Sequence, residues 1–135
     1  MIELESNNPS RDQIAIVNRP LEHGIVVAVS GEIDLATAPV VGRELLRAAA
    51  SHDLVAIDLS ATSFLDSTGL HAIMAANLRL RERGGRLVIV EGPPEVSRLF
   101  ELTGLNTHLD LVRDATELER LAANGNGPRP PSRAV

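Results

Sequence analysis

Three short, continuous apolar runs alternate with segments of helical periodicity, and this alternation constrains the fold of the chain more than any other feature. The runs lie within residues 25–30, 54–59 and 87–90, in which the polar residues are Ser30 and Asp58. Strands that are apolar on both faces are typical of parallel sheets covered by helices, and parallel strands need long crossover connections. The pattern therefore predicts an α/β fold with right-handed crossovers.

Weaker signals complete the predicted order of elements, β-β-α-β-α-β-α-β-α. Short apolar segments at residues 14–17 and 109–112 predict a first strand and a last edge strand. Helices are expected from Thr37 onward, over residues 67–83 and 95–102, and from Asp114 to about residue 122. The fold class is thus a mixed, mostly parallel sheet of four to five strands with about four helices. Residues 31–34 are expected to leave the sheet.

The apolar spacing also predicts which helix faces belong to the core. In the first helix the i, i+4, i+7, i+8 pattern gives Val41, Leu45, Ala48 and Ala49. In the second helix the residues that fall along one face are Leu70, Ile73, Met74, Asn77 and Leu78. Met74 and Leu78 are therefore expected to be buried.

Composition excludes several classes of function. The net charge is −5, all thirteen basic residues are arginine, and the aromatic residues are two phenylalanines, so a nucleic-acid-binding role is not expected. Without lysine the chain has neither a Schiff-base residue nor a P-loop lysine, and without cysteine it has no thiolate metal site. No apolar run is long enough to cross a bilayer, and the N-terminus lacks a signal-peptide pattern. A cytoplasmic protein is expected.

At 135 residues the chain is long enough for one domain with its own core. Residues 1–12 are predicted to be a flexible lead-in, and residues 13–122 to form the domain. Residues 123–135 are rich in proline and glycine and are predicted to be a disordered tail.

The most informative local motif is the Asp66-Ser67-Thr68-Gly69 segment, which opens the second predicted helix. Free backbone N–H groups and the helix dipole favour negative charge at such a position. From position alone Ser67 is a helix cap, a nucleophile or a phosphorylation site. The choice among these three roles decides the function.

Several segments, in this order, resemble the STAS domain family, and within it the bacterial anti-sigma factor antagonists. The resemblance covers roughly residues 13 to 122. The segments that carry it are residues 31–39 (GEIDLATAP), 57–60 (IDLS), 64–70 (FLDSTGL), 84–90 (GGRLVIV) and 99–105 (LFELTGL). The resemblance implies a small mixed sheet, with the first strand at its edge and helices mainly on one side.

The resemblance also implies a mechanism. In the family, the serine that corresponds to Ser67 is phosphorylated by an anti-sigma factor that is also an ATP-dependent serine kinase. The unmodified antagonist binds this partner and frees a sigma factor, and a serine phosphatase resets the cycle. The implied partner-contacting residues are Asp34, Thr37, Asp66, Ser67, Thr68, Gly69 and His71. Thr68, where many relatives carry serine, stays a second candidate acceptor.

The same residues leave other interpretations open. Asp34 and Asp58 end two predicted strands near the start of the second helix, where sites collect in open α/β sheets. His71 stands four residues after Ser67, as in a serine–histidine nucleophile pair, but the Gly-x-Ser-x-Gly pattern is absent.

The chain is expected to be a non-enzymatic regulator that is monomeric when free and has no metal or cofactor of its own, since the ATP belongs to the kinase. The alternatives are a STAS subunit of a larger signalling or lipid-transport complex and, more distantly, a serine-nucleophile enzyme.

Overall fold

The computed structural model describes residues 14–124. The predictions for residues 1–12 and for most of the tail lie outside this range. The helices and strands follow in the order β1 Ile14–Leu21, β2 Gly24–Ile33, α1 Ala38–Ser51, β3 Leu54–Asp58, β4 Thr62–Leu65, α2 Ser67–Glu82, β5 Arg86–Val90, α3 Pro94–Leu102, β6 Asp110–Val112 and α4 Ala115–Ala123. A single 3₁₀ turn, Leu105–Thr107, lies between α3 and β6.

These strands form one mixed sheet in the order β1-β2-β3-β5-β6. The remaining strand, β4, pairs with the last residues of β2, beyond those that pair with β3. The β1–β2 hairpin is antiparallel, and every other pairing is parallel. The predicted mixed, mostly parallel sheet with an antiparallel edge strand is confirmed. No helix in residues 14–124 is both long and apolar enough to cross a membrane.

Helices cover the two faces of the sheet unequally. One face carries the larger core, in which α1, α2 and α3 pack on alternate residues of β2, β3 and β5. The other face carries a smaller cluster, in which Leu118 and Ala122 of α4 pack on β3, β5 and β6. The main helical layer therefore lies on one side, as the resemblance implies.

The sequence prediction was wrong at the end of β2, which was expected to stop near Ser30. The strand runs on to Ile33 because a short strand that was not predicted, β4, pairs with its last residues. Within the β2–β4 pairing the register shifts between Gly31, which pairs with Thr62, and Glu32, which pairs with Phe64. Gly31 has a φ of 103°, a left-handed conformation that favours glycine at such a bulge.

The predicted core face of α2 was wrong for Leu78. The buried residues of this helix are Gly69, Leu70, Ile73, Ala76 and Leu80. At about 100° per residue, Leu78 lies roughly opposite the centre of this set, and its side chain is 59% exposed. The predicted core face of α1, in contrast, is confirmed.

A buried ion pair joins the two strands at one edge of the sheet. Arg86 of β5 donates from Nε to Oδ2 of Asp110 in β6 over 2.9 Å, and both side chains are largely shielded from water. Removing one member of such a pair leaves the other charge buried without its counter-ion.

Asp110→Ala is therefore expected to lower the free energy of unfolding by about 3–5 kcal/mol, measured by urea denaturation. The matched control is Glu44→Ala, which removes the pair with the exposed Arg47 and should cost no more than about 1 kcal/mol. Equal losses in the two variants would contradict the structural role of the buried pair.

Candidate functional site

The pairing of β4 with β2 brings two loops together at the carboxyl ends of these strands. Leu65 pairs with Ile33, and the backbone N–H of Asp66 donates to the carbonyl of Ile33 over 3.2 Å. The β2–α1 loop, which starts at Asp34, therefore lies beside the start of α2. This proximity was predicted from the sequence for Asp34, whereas the strand that creates it was not.

Asp66 is the N-cap of α2. Its Oδ1 atom accepts hydrogen bonds from the backbone N–H of Thr68 at 2.9 Å and of Gly69 at 3.2 Å. The hydroxyl of Thr68 donates to the same oxygen over 2.5 Å. Burial raises the pKa of the Asp66 carboxyl, but the hydrogen bonds from the Thr68 side chain and from these N–H groups outweigh it and lower the pKa below its ordinary value. The carboxylate is thus held in its charged form.

Ser67 is the first residue of α2, and its side chain is exposed. Its hydroxyl makes no hydrogen bond with any residue in the described range 14–124. Because Asp66 already caps the helix, the hydroxyl of Ser67 is not needed as a cap. Thr68, the second candidate acceptor, is half-buried and uses its hydroxyl to bind Asp66. Of the two hydroxyls, that of Ser67 is the accessible one.

His71 is also exposed and lies one turn after Ser67 on the outward side of α2. No hydrogen bond joins the two side chains, and His71 has no hydrogen-bonding or ionic partner within residues 14–124. A nucleophile and its base are recognised by such a hydrogen bond. The structure therefore offers the serine–histidine interpretation no geometric support.

The β2–α1 loop is closed by Asp34 and Thr37. Oδ1 of Asp34 accepts hydrogen bonds from the backbone N–H groups of Ala36 and Thr37 at 3.0 and 3.1 Å. The hydroxyl of Thr37 donates to the carbonyl of Glu32 at 2.8 Å and accepts from the N–H of Asp34 at 2.9 Å. Thr37 stands at the N-cap position of α1 but makes no side-chain cap, and it is fully buried. Its hydroxyl shapes the loop from inside, while Asp34 stays partly exposed.

Gly69 lies inside the site rather than on its surface. A Cβ on this residue would come within 2.5 Å of Cδ1 of Leu65 and 2.6 Å of Cγ2 of Ile33. Glycine therefore lets the first turn of α2 approach β2 and β4 closely. Like Thr37, Gly69 positions the residues around it.

Asp58 is directed away from this site. It ends β3 on the α4 side of the sheet, shared with Leu54 and Ala56, and pairs with Nη2 of Arg19 at 3.2 Å. Its Oδ1 atom also accepts from the N–H of Ser60. The sequence predicted that Asp58 lies close to the start of α2, but its side chain is on the opposite face of the sheet from α2. Among residues 14–124, no group of three or more His, Asp and Glu side chains is arranged to hold a metal ion.

Thr62 is a residue of this region that the sequence interpretation missed. It is fully buried, and its hydroxyl donates to the carbonyl of Val29 over 2.7 Å. This bond fixes the start of β4 against β2. The available signal was the β-branched and aromatic content of residues 62–65, which is too short a run to separate a strand from a loop.

The family model and the relatives that match this sequence agree with one another. The family model described as STAS domain matches residues 15–117. The anti-sigma-B factor antagonist of Listeria monocytogenes is 37% identical over 114 residues, which cover 84% of this chain and 95% of that protein. The anti-sigma-B factor antagonist of Bacillus subtilis is 33% identical over 90 residues, covering 67% and 83%.

A solved structure agrees with these relatives. The crystal structure of an anti-sigma factor antagonist from Mycobacterium paratuberculosis matches with a TM-score of 0.73 and 32% identity, and the match covers 84% of this chain and 94% of that one. Both the sequence and the arrangement of its elements are therefore similar to this class of regulator.

The assignment of the helix cap to Asp66 rather than Ser67 is testable with two neighbouring variants. Asp66→Ala is expected to lower the free energy of unfolding by about 1 kcal/mol at pH 7, and Ser67→Ala to change it by less than about 0.5 kcal/mol. Urea denaturation measures both values. A larger loss for Ser67→Ala would reverse the assignment.

The contribution of Asp66 should also depend on pH. Because the folded-state pKa lies below the unfolded one, the charged cap stabilises the fold above the unfolded pKa of about 3.9, and this contribution is lost as the pH falls through the folded pKa. The difference in stability between the wild type and Asp66→Ala should therefore shrink as the pH falls from 6 to 3. A constant difference over that range would argue against a charged cap.

Proposed function

The chain belongs to the STAS domain family, and from this we propose that it is an anti-sigma factor antagonist controlled by phosphorylation of Ser67. With Ser67 unmodified, the monomeric protein binds a cytoplasmic anti-sigma factor that is also an ATP-dependent serine kinase, and a sigma factor is released. Phosphorylation by that kinase ends the interaction, and a serine phosphatase restores it.

One observation carries the proposal: Ser67 presents an exposed, unengaged hydroxyl at the first position of a helix that a neighbouring residue already caps. A kinase needs access to such a hydroxyl. Modification here breaks no hydrogen bond within the described part of the chain. The domain can therefore keep its fold in both states, so that the switch acts on the interface alone.

Electrostatics supports the position of the modification. Phosphorylation adds a charge of about −1.5 to −2 and three acceptor oxygens. The N-terminus of a helix tolerates such a group, and beyond the N-cap Asp66 the first turn of α2 contains no acidic side chain. A partner surface that fits the neutral hydroxyl beside the Asp66 carboxylate meets two negative groups instead of one after modification. A penalty of about 3 kcal/mol would reduce the affinity more than a hundredfold.

Asp34 is proposed to contact the same partner with its second carboxylate oxygen. Oδ1 holds the loop, whereas Oδ2 has no hydrogen bond within residues 14–124. Asp66, Thr68 and His71 border Ser67 on α2 and complete the proposed contact surface. Thr37 and Gly69 act indirectly, because both are buried.

The modification is tested by incubating the full chain with candidate anti-sigma factor kinases and ATP. Intact mass spectrometry should detect one added phosphate, and fragmentation should locate it on Ser67. Ser67→Ala should abolish it, while Thr68→Val should remain a substrate. Phosphate on Thr68 in the wild type, or none with any kinase, would contradict the proposal.

The switch is tested by the affinity of variants for the same anti-sigma factor, measured by calorimetry. Ser67→Ala should bind within about threefold of the wild type, whereas the phosphorylated protein should bind at least about a hundredfold more weakly. Ser67→Asp should fall between them, because aspartate carries one negative charge. Equal affinity of all forms would rule the switch out.

The contact by Asp34 is tested with two substitutions at the same position. Asp34→Asn keeps an oxygen that accepts the loop hydrogen bonds and removes the charge, so stability should be retained while binding weakens about tenfold. Asp34→Ala should lower both stability and binding. Unchanged binding by Asp34→Asn would limit Asp34 to shaping the loop.

A further inference from the structure

A shallow apolar groove runs along the outer surface between α1 and α2. Small residues at the bottom of the groove let α1 and α2 lie close to each other, since a Cβ on Gly42 would lie 3.4 Å from Cβ of Ala72. Leu35 and Leu46 flank it on the α1 side, and His71 and Ala75 on the α2 side. We call this surface the α1/α2 groove.

Two of the six large exposed apolar side chains of residues 14–124 line the groove. Leu35 is 74% exposed and Leu46 is 38% exposed. Leu78, which is 59% exposed, lies three residues after Ala75 on the outward side of α2, beyond the residues that line the groove. Clusters of this kind on a soluble domain mark interaction surfaces.

The groove also differs in charge from the rest of this acidic chain. Among the described residues that line it, the ionisable ones are Arg43 and His71, and none is a carboxylate. Arg43 is exposed and forms no ion pair or hydrogen bond with any residue in the range 14–124. A cation without a partner beside an apolar groove is complementary to an apolar surface that carries an acidic group.

The groove is continuous with the site around Ser67. Thr68, the next residue, is one of its lining residues, and His71 lies one turn further along α2. A partner that covers Ser67 is therefore adjacent to the open end of the groove. A phosphate on Ser67 would add negative charge at this open end of the groove.

We propose that the α1/α2 groove binds an amphipathic helix of the anti-sigma factor, with aliphatic side chains over Gly42 and Ala75 and an acidic residue paired with Arg43. Docking of an amphipathic helix in an apolar groove is a common recognition mode. This inference rests on the proposed function for the identity of the partner, and it adds a second contact region beyond the Ser67 surface. It also gives phosphorylation a physical target, because the dianion repels the acidic residue of the docked helix.

The test uses the full chain and the anti-sigma factor kinase that phosphorylates Ser67. Arg43→Glu, Leu46→Glu and Ala75→Arg alter the groove at exposed positions and leave Ser67 in place. Each should weaken binding at least about tenfold by calorimetry, which corresponds to about 1.4 kcal/mol. Circular dichroism and thermal melting should match the wild type, because none of these side chains is in the core.

Two matched controls carry the charge changes of Leu46→Glu and Arg43→Glu on the opposite face of the sheet. Val17→Glu introduces a carboxylate at an exposed apolar residue of β1, and Arg120→Glu reverses an exposed arginine of α4. Both should bind within about twofold of the wild type, since they leave the groove intact. Losses equal to those of the groove variants would attribute the effect to net charge and overturn the inference.

The outcomes separate this inference from the proposed function. If phosphorylation of Ser67 abolishes binding while all three groove variants bind like the wild type, the function stands and the groove proposal fails. If the groove variants lose binding while phosphorylation has no effect, the groove stands and the switch fails. If sedimentation shows that the free chain is a dimer that Leu46→Glu dissociates, the occupant is a second copy, and the proposal is overturned.

Discussion

The position of the site depends on one backbone pairing, that of the four-residue strand β4 with the end of β2. The hydrogen bond from Asp66 N–H to the Ile33 carbonyl is its last link, and it fixes where α2 begins relative to the β2–α1 loop. The buried hydroxyl of Thr62 anchors the other end of β4. Gly69 then allows the first turn of α2 to lie against this strand pair without a steric clash. A strand of minimal length therefore sets the geometry of the candidate site.

Within that frame, structural roles and the proposed functional role fall on adjacent residues. Asp66 and Thr68 use their polar atoms to hold the helix start, and Thr37 uses its hydroxyl to close the neighbouring loop. Ser67 is left exposed, with its hydroxyl unengaged among the described residues. Modification of this hydroxyl breaks no hydrogen bond among residues 14–124. The proposed change of state is therefore electrostatic, and its effect falls on whichever surface meets the helix start.

The outward side of α2 illustrates how a local pattern can mislead. Met74 and Leu78 are one turn apart and apolar, so the sequence alone predicted a core stripe that included both. Met74 is half-buried against the core, whereas Leu78 is exposed. The buried stripe instead runs through Ile73, Ala76 and Leu80, about half a turn away from Leu78. Alanine is a weak marker of a core face, because it is tolerated on either side of a helix. Which face is buried was decided by the close packing of α1 and β5 against α2.

The sequence by itself determined the α/β class, the sequential order of helices and strands except β4, the core face of α1 and the location of the Ser67 motif. These features follow from local periodicity, capping and a resemblance that spans most of the chain. Tertiary structure alone decided the pairing of β4 with β2, the burial of Thr37 and Gly69, and the side of the sheet on which Asp58 lies. Each of these depends on contacts between residues distant along the chain or on packing between elements, and neither helix nor strand periodicity carries that information.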